Sequence, residues 1–305
     1  MNTVDIFSGA GGFSTGASQA GARVLWAANH WREAVDFHSK NHPQTAHVCQ
    51  DLNLFPSTLI PNHDLLLASP SCKGFSPARG KDQAHHDRHR ATAWIVIDIL
   101  EAKRPEFAVV ENVPEMKKWV LYPSWIDAVS RLGYSISENI IDAASCGVPQ
   151  NRIRLFIVLT RSRKSFELKI ERKQEQPISS VLNWEAGNWS DIFKKNRSEK
   201  TIQRIQNAVC DGMGDRFLTA YYGATRAGRS IERPIGTLTT KPRYALIQWD
   251  RKKMRMLSVD EARAAMGFPD SYILPKRSDE ANMMLGNAVC PPVAKEIVSQ
   301  IIARG

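Results

Sequence analysis

No two of the five cysteines, at 49, 72, 146, 210 and 290, form a Cys-x-x-Cys pair, and their number is odd. A disulfide framework or a zinc site is therefore not expected, and a reducing cytoplasm is the natural compartment. No apolar run reaches membrane-spanning length, and Met1-Asn2-Thr3-Val4-Asp5 shows neither a basic leader nor an apolar h-region. Neither insertion nor export is expected. Acidic residues are in deficit, 31 against 41 Lys and Arg, which leaves a net charge of +10 and favours a polyanionic partner. No repeat or low-complexity tract is present, so solenoid architectures are excluded. What is present is 305 residues at 43% hydrophobic, enough for one large domain and a smaller insertion.

The chain is organised around Leu65-Leu66-Leu67-Ala68-Ser69-Pro70-Ser71-Cys72-Lys73-Gly74-Phe75-Ser76. An apolar run bounded by Pro and Gly reads as a buried strand, which puts Cys72 on the loop beyond its carboxyl end, where open α/β sheets carry their chemistry. Nearby cations or a helix start tune such a thiol toward the thiolate that attacks carbon electrophiles. A lone cysteine is more often a small buried hydrophobe, so its context decides.

Val4 to Phe7 reads as a strand, and Ser8-Gly9-Ala10-Gly11-Gly12-Phe13-Ser14-Thr15-Gly16 as a glycine-rich turn opening a helix whose free N–H groups suit an anionic ligand. The dinucleotide pattern fails, because Ser14 stands where the third glycine belongs. Further strands run from Ala22 to Ala28, before His30 and Trp31, and up to Asp51, with a helix over Ala34 to His38 between them. Phe7, Trp31 and Asp51 then lie at three strand ends and can converge on an adenosine-sized crevice. Pro77 to Arg90, without large apolar residues, reads as a mobile basic lid, and its histidines lack metal-ligand spacing. A helix from Ala91 and a strand over Phe107 to Val110 follow, ending at Glu111, a candidate general acid if burial raises its pKa. Arg152 and Arg154, at the entry of a strand running to Leu159, share a face by their i, i+2 spacing. From Arg163 to Arg243 aromatics such as Trp184 and Trp189 alternate with cations, a composition that reads as a nucleic-acid surface rather than a core. Ser258 and Glu261 form a capping box, and Ala294 to Ala303 reads as the terminal helix.

Taken in order, Asp5-Ile6-Phe7-Ser8-Gly9-Ala10-Gly11-Gly12, Cys72-Lys73-Gly74-Phe75-Ser76, Glu111-Asn112-Val113, Gln150-Asn151-Arg152-Ile153-Arg154 and Gly286-Asn287-Ala288-Val289 resemble the ordered motifs of DNA (cytosine-5)-methyltransferases of bacterial or phage type. Arg263 through Tyr272 also match, so the likeness spans the chain except roughly 161–250, where that family keeps its variable recognition domain. The resemblance implies an α/β, Rossmann-like class I S-adenosylmethionine-dependent methyltransferase fold with a smaller inserted target recognition domain. Its expected division is 1–162 catalytic and cofactor-binding, 163–254 target recognition, and 255–305 a hinge and C-terminal segment returning to the first domain.

The same resemblance assigns the roles. Cys72 adds to carbon 6 of a flipped-out cytosine, Glu111 serves ring nitrogen 3, Arg154 the carbonyl at carbon 2, and Arg152 orders the site. S-adenosylmethionine lies over Phe7, Gly9, Gly11 and Gly12, with His30, Trp31, Asp51 and Asn287 around it. Lys73, Ser76, Arg79, Lys81, Arg226, Arg229 and Arg243 are the expected contacts to double-stranded DNA. The expected setting is a monomer in the cytoplasm of a prokaryotic or phage-infected cell, with a cognate restriction endonuclease as candidate partner. Three residues depart from the family pattern: Ser71 replaces the proline before the cysteine, Lys73 a glutamine, and His30 a ribose-binding carboxylate. Ser71 and His30 keep a catalytically silent DNA-binding relative open, and the shared chemistry keeps tRNA cytosine open as substrate.

Overall fold

The computed structural model describes residues 1–72, 75, 85–161, 166–221 and 228–304, with the backbone alone for 85–89. The chain divides into two compact units, the first Met1–Cys146, Arg152–Lys173 and Ala288–Gly305, the second Gly147–Asn151 and Gln174–Asn287.

The first unit holds β1 (Asn2–Ile6), α1 (Gly12–Gln19), β2 (Arg23–Asn29), α2 (Arg32–Asn41), β3 (Ala46–Cys49), β4 (Leu65–Ala68), α3 (His85–Lys103), β5 (Phe107–Asn112), α4 (Tyr122–Arg131), β6 (Ser135–Asp142) and β7 (Ile153–Thr160). Its sheet runs β3-β2-β1-β4-β5-β7-β6, with β1 to β5 parallel and β7 antiparallel to both neighbours. This is the expected Rossmann-like α/β arrangement. The chain leaves β1 toward β2 and β3, then returns to β4 on the other side. Loops after β1 and β4 therefore open into a crevice between adjacent strands, the switch point where such sheets bind ligands.

Alternate residues face opposite sides of the sheet. Val4, Ile6, Leu66, Ala68, Ala108 and Val110 join one apolar core with Ile95, Ile99 and Trp125 from α3 and α4. Asp5 lies on the other side, where Phe13 of α1 meets Phe156 of β7 edge to face at 6.3 Å. Among the described residues no ion pair reaches Asp5, and the bonds that bear on its charge come from Ser14 alone.

The second unit contains β8 (Ser190–Asp191), α5 (Glu199–Cys210), β9 (Arg216–Ala220), β10 (Tyr244–Gln248), β11 (Lys253–Met256), α6 (Val259–Ala265) and α7 (Ser278–Asn287). Its antiparallel sheet runs β8-β11-β10-β9. Here the reading of Arg163 to Arg243 as a surface rather than a core needs correction. Ile192, Ile205, Ala208, Phe217, Ala245, Ile247 and Met254 form a buried cluster of their own. Trp184 and Trp189 stack on each other at 6.0 Å, with Arg216 over the first and Arg255 over the second. Arg255 also makes a buried bidentate pair with Glu261, whose oxygens further accept from the backbone N–H of Ser258 and Asn183. Those bonds hold the start of α6 to the second unit, which thus continues to Asn287 instead of ending at 254. The last helix, α8 (Pro291–Ile302), belongs to the first unit.

The helix read from Ala91 begins at His85, so the lid read over Pro77 to Arg90 gives way to helix in its last six residues. Polar residues fill that first turn and a half, and a search for apolar spacing does not see them. The rest of the lid lies outside the described residues.

Candidate active site

Strand β4 is fully buried and ends at Ala68. The chain beyond it is fastened from several directions: Ser69 N–H donates to the Ile6 carbonyl at 3.3 Å, and Ser71 N–H to Thr92 Oγ1 at 3.1 Å. Asn112 Nδ2 donates to the Pro70 carbonyl at 3.0 Å, and its Oδ1 accepts from Val113 N–H at 2.9 Å. Phe75 N–H closes a turn onto the Cys72 carbonyl at 2.9 Å, while its buried ring packs against Trp119 at 5.5 Å. Cys72 itself is half-buried on this anchored loop.

Glu111, next to last in β5, is buried. Because β7 runs antiparallel to β5, its beginning lies beside the end of β5, with Asn112 opposite Leu155. Arg154 therefore reaches Glu111, Nε to Oε1 at 3.2 Å. Arg152 precedes β7 rather than lying in it. It is buried and donates to the Ala288 carbonyl at 2.8 Å.

Burial pushes the Glu111 carboxyl above its ordinary range, and Arg154 and Arg152 oppose the rise. Burial and Glu111 push the Cys72 thiol up, again against the two arginines. Arg152 is held down to about 10 by burial and by Arg154. The result is a thiol beside a carboxyl biased toward its neutral, proton-donating form, with two guanidinium groups at the same place.

The cofactor candidates lie past the carboxyl ends of adjacent strands. Phe7, half-buried after β1, has φ 57°, unusual for a residue with a side chain. His30 and Trp31 follow β2, Trp31 N–H donating to Asn29 Oδ1 at 3.0 Å. Asp51 lies two residues past β3, exposed, its Oδ1 accepting from Asn53 Nδ2 at 2.7 Å.

A nucleotide-like cofactor fits this edge. Gly11, at φ 76°, starts α1 without a side-chain cap of its own, and of the first-turn N–H groups that of Ser14 is taken by Asp5. A Cβ at Gly9 would meet only the Phe7 carbonyl, at 3.8 Å, so the space beside the loop is open. Gly12 differs: a Cβ there would fall 1.9 Å from the Val289 carbonyl. Asn287 is exposed at the end of α7, in the second unit.

Of the expected DNA contacts, Lys73, Ser76, Arg79, Lys81 and Arg226 lie outside the described residues. Arg229 is exposed and bridges Leu218 through its backbone. With Arg233, Glu175 and Asn151 it lines a cavity of about 310 Å³. Arg243 is half-buried and donates to the Tyr221 carbonyl at 3.3 Å. Sequence reasoning gave Asn112 no role beyond its place in a motif. Its grip on Pro70, 42 residues away, had no signal in spacing.

Residues 1–303 match the model of the C-5 cytosine-specific DNA methylases. The chain is 27% identical to the Type II methyltransferase M.NlaX of Neisseria lactamica, over 98% of this chain and 96% of that protein. It is 28% identical to M.HindV of Haemophilus influenzae, over 99% and 96%. Among solved structures, one described as a DNA modification methyltransferase encoded within a prophage, from E. coli, matches with a TM-score of 0.74 at 20% identity, over 99% of each chain.

Proposed function

The chain belongs to the C-5 cytosine-specific DNA methylase family, and from that premise we propose that it methylates carbon 5 of a cytosine flipped out of a specific double-stranded DNA sequence, through a covalent bond from Cys72 to carbon 6. The observation that carries this reading is the grouping of Cys72, Glu111, Arg154 and Arg152 where β4 and β5 end and β7 begins. S-adenosylmethionine, when bound, supplies the methyl group as a sulfonium electrophile.

The chain's own residues do the rest. Cytosine carbon 5 is a poor nucleophile until a thiolate adds to carbon 6. Cys72 gives up its proton to water and forms the carbon–sulfur bond, and the displaced ring electrons are accommodated as Glu111 donates a proton or hydrogen bond to nitrogen 3. Arg154 donates to the oxygen at carbon 2, and Arg152 holds the neighbouring segment through Ala288. After methylation water takes the proton from carbon 5, Cys72 departs as thiolate and nitrogen 3 gives its proton back to Glu111, which restores the ring. Phe7, Gly9, Gly11, Gly12, His30, Trp31, Asp51 and Asn287 would hold the cofactor. Arg229 and Arg243, with Lys73, Ser76, Arg79, Lys81 and Arg226, would hold DNA. A cytoplasmic monomer acting beside a cognate restriction endonuclease completes the reading.

Cys72→Ala tests it directly. Transfer of tritiated methyl groups to duplex DNA is expected to vanish while the far-ultraviolet spectrum and cofactor binding remain, and activity surviving in that variant would overturn the mechanism. Parallel incorporation into tRNA separates the two substrates. Failure to trap a covalent complex on duplex containing 5-fluorocytosine would instead favour a silent DNA-binding relative.

A further inference from the structure

A line of polar side chains from four elements runs from the edge of the sheet to the base of the glycine loop. His47, half-exposed on edge strand β3, places Nε2 2.7 Å from Nδ1 of His38 on α2. Nε2 of the buried His38 is 3.1 Å from Ser14 Oγ, in the first turns of α1. Ser14 Oγ donates to Asp5 Oδ2 at 2.6 Å. Asp5 is wholly buried, and its Oδ1 has no hydrogen-bond partner among the described residues. Thr3 Oγ1, on the same face of β1, is in the same position. The bond from Asp5 to Ser14 brackets the Phe7 to Gly12 loop, and Asp5 lies two residues before Phe7.

We propose that His47, His38 and Ser14 are positioning residues that relay a proton between solvent and Asp5, and so set the charge beneath the cofactor loop. With Asp5 ionised, His47 Nε2–H donates to His38 Nδ1, His38 Nε2–H to Ser14 Oγ, and Ser14 Oγ–H to Asp5 Oδ2. A proton taken from water at His47 Nδ1 is matched by transfer of each of these three protons one place inward. Asp5 becomes neutral, every donor reverses, and both histidines stay uncharged.

The surroundings agree with this balance. Burial raises the Asp5 carboxyl to about 7, opposed only by its bonds with Ser14. The strands beside it present Ala27 and Leu67, which do not titrate. His38 is held neutral by burial and by His42 and His47. His42, whose Nε2 lies 3.2 Å from Thr15 Oγ1, is held down to about 4 by burial and His47. Burial also lowers His47, against a bond with the Thr45 backbone.

Resting here on the reading of the loop as a cofactor site, an ionised Asp5 favours a cationic ligand over a neutral one of the same shape. S-adenosylmethionine carries a sulfonium and S-adenosylhomocysteine does not. The test is calorimetric binding of both to the protein at about pH 6 and about pH 8, with ring-nitrogen NMR of the histidines in the same protein without ligand. Preference for the sulfonium is expected to grow about threefold or more from the lower to the higher pH, a change of half a pK unit or above. That gain should disappear in Asp5→Asn, and in His38→Gln, which can donate to Ser14 but cannot pass a proton, the His47 tautomer should no longer follow the charge of Asp5. Ser14→Ala breaks the same line if Asn at 5 impairs folding.

In the spectra the His38 proton is expected to move from Nε2 to Nδ1 as the pH falls through about 7, with the ring remaining neutral. A fixed His38 tautomer across this range overturns the relay, and a preference independent of pH in the native chain overturns its effect on the ligand. Loss of binding to both compounds at every pH would strike the cofactor reading instead, and the tautomer measurement would still decide the relay.

Discussion

Cys72 sits between opposing fields. Burial and the neighbouring Glu111 disfavour its thiolate, and Arg154 and Arg152 favour it. Removing either kind of neighbour should therefore change its reactivity in opposite directions. Glu111→Gln takes away the repulsion and is expected to speed alkylation of Cys72 by iodoacetamide at about pH 8, whereas Arg154→Ala is expected to slow it, each by a few-fold up to about tenfold for a shift of one pK unit. Site-resolved mass spectrometry distinguishes Cys72 from the half-exposed Cys49 and the exposed Cys210. If both variants moved the rate the same way, packing and not charge would control the thiol. The position of Cys72 at a strand end was legible because an apolar run meeting Pro and Gly has one common meaning in an α/β chain. Its fastening by Asn112 was not, since that contact joins two strands whose adjacency exists only after folding.

At the scale of elements, the glycine-rich turn separates two needs that look alike in sequence. Gly9 and Gly11 take left-handed backbone angles of 52° and 76°. Gly12 instead admits the segment leading into α8 and Gly16 the first turn of α8 itself: a Cβ on Gly16 would lie 2.5 Å from the Ala294 Cβ and from the Pro291 carbonyl. Sequence spacing marks all of these as glycines near a ligand loop, and only the late return of the chain to α1 shows which serve packing. Propensity alone makes Gly16→Ala stabilising by about 1 kcal/mol in a helix. Backbone atoms in the way reverse the sign, and the variant is expected to lose about 1–3 kcal/mol in urea unfolding. A more stable variant would show that α8 yields easily. The second unit was harder to read for a related reason. Its strands are short and its buried cluster draws only one or two residues from each of α5, β9, β10 and β11, with Ile192 beside them, so no window of the sequence carries a sustained period.

For the molecule as a whole, the buried line from His47 to Asp5 ties stability to pH in two opposite ways. Folded His38, His42 and His47 all resist protonation, so below about 6.5 the unfolded chain binds more protons at these positions. Their contribution is present above that pH and is lost as acid is added, for His42 through about 4. Asp5 acts in reverse: its carboxyl ordinarily titrates at 3.8 and rises to about 7 on folding, so the folded chain holds the extra proton between these values. Its contribution is present in acid and is lost as the pH rises through about 7. From about pH 4 to 6.5 the three imidazoles outweigh the single carboxyl, and stability should rise with pH. Asp5→Asn removes the opposing proton. In urea titrations across this window its stability is expected to climb more steeply than the native chain's, by up to about 1.4 kcal/mol per pH unit for one proton. Its advantage should level off above about pH 7, where native Asp5 is already ionised. Parallel curves for the two chains would mean that Asp5 is charged throughout, and the buried carboxyl would then have to be held by a partner other than Ser14.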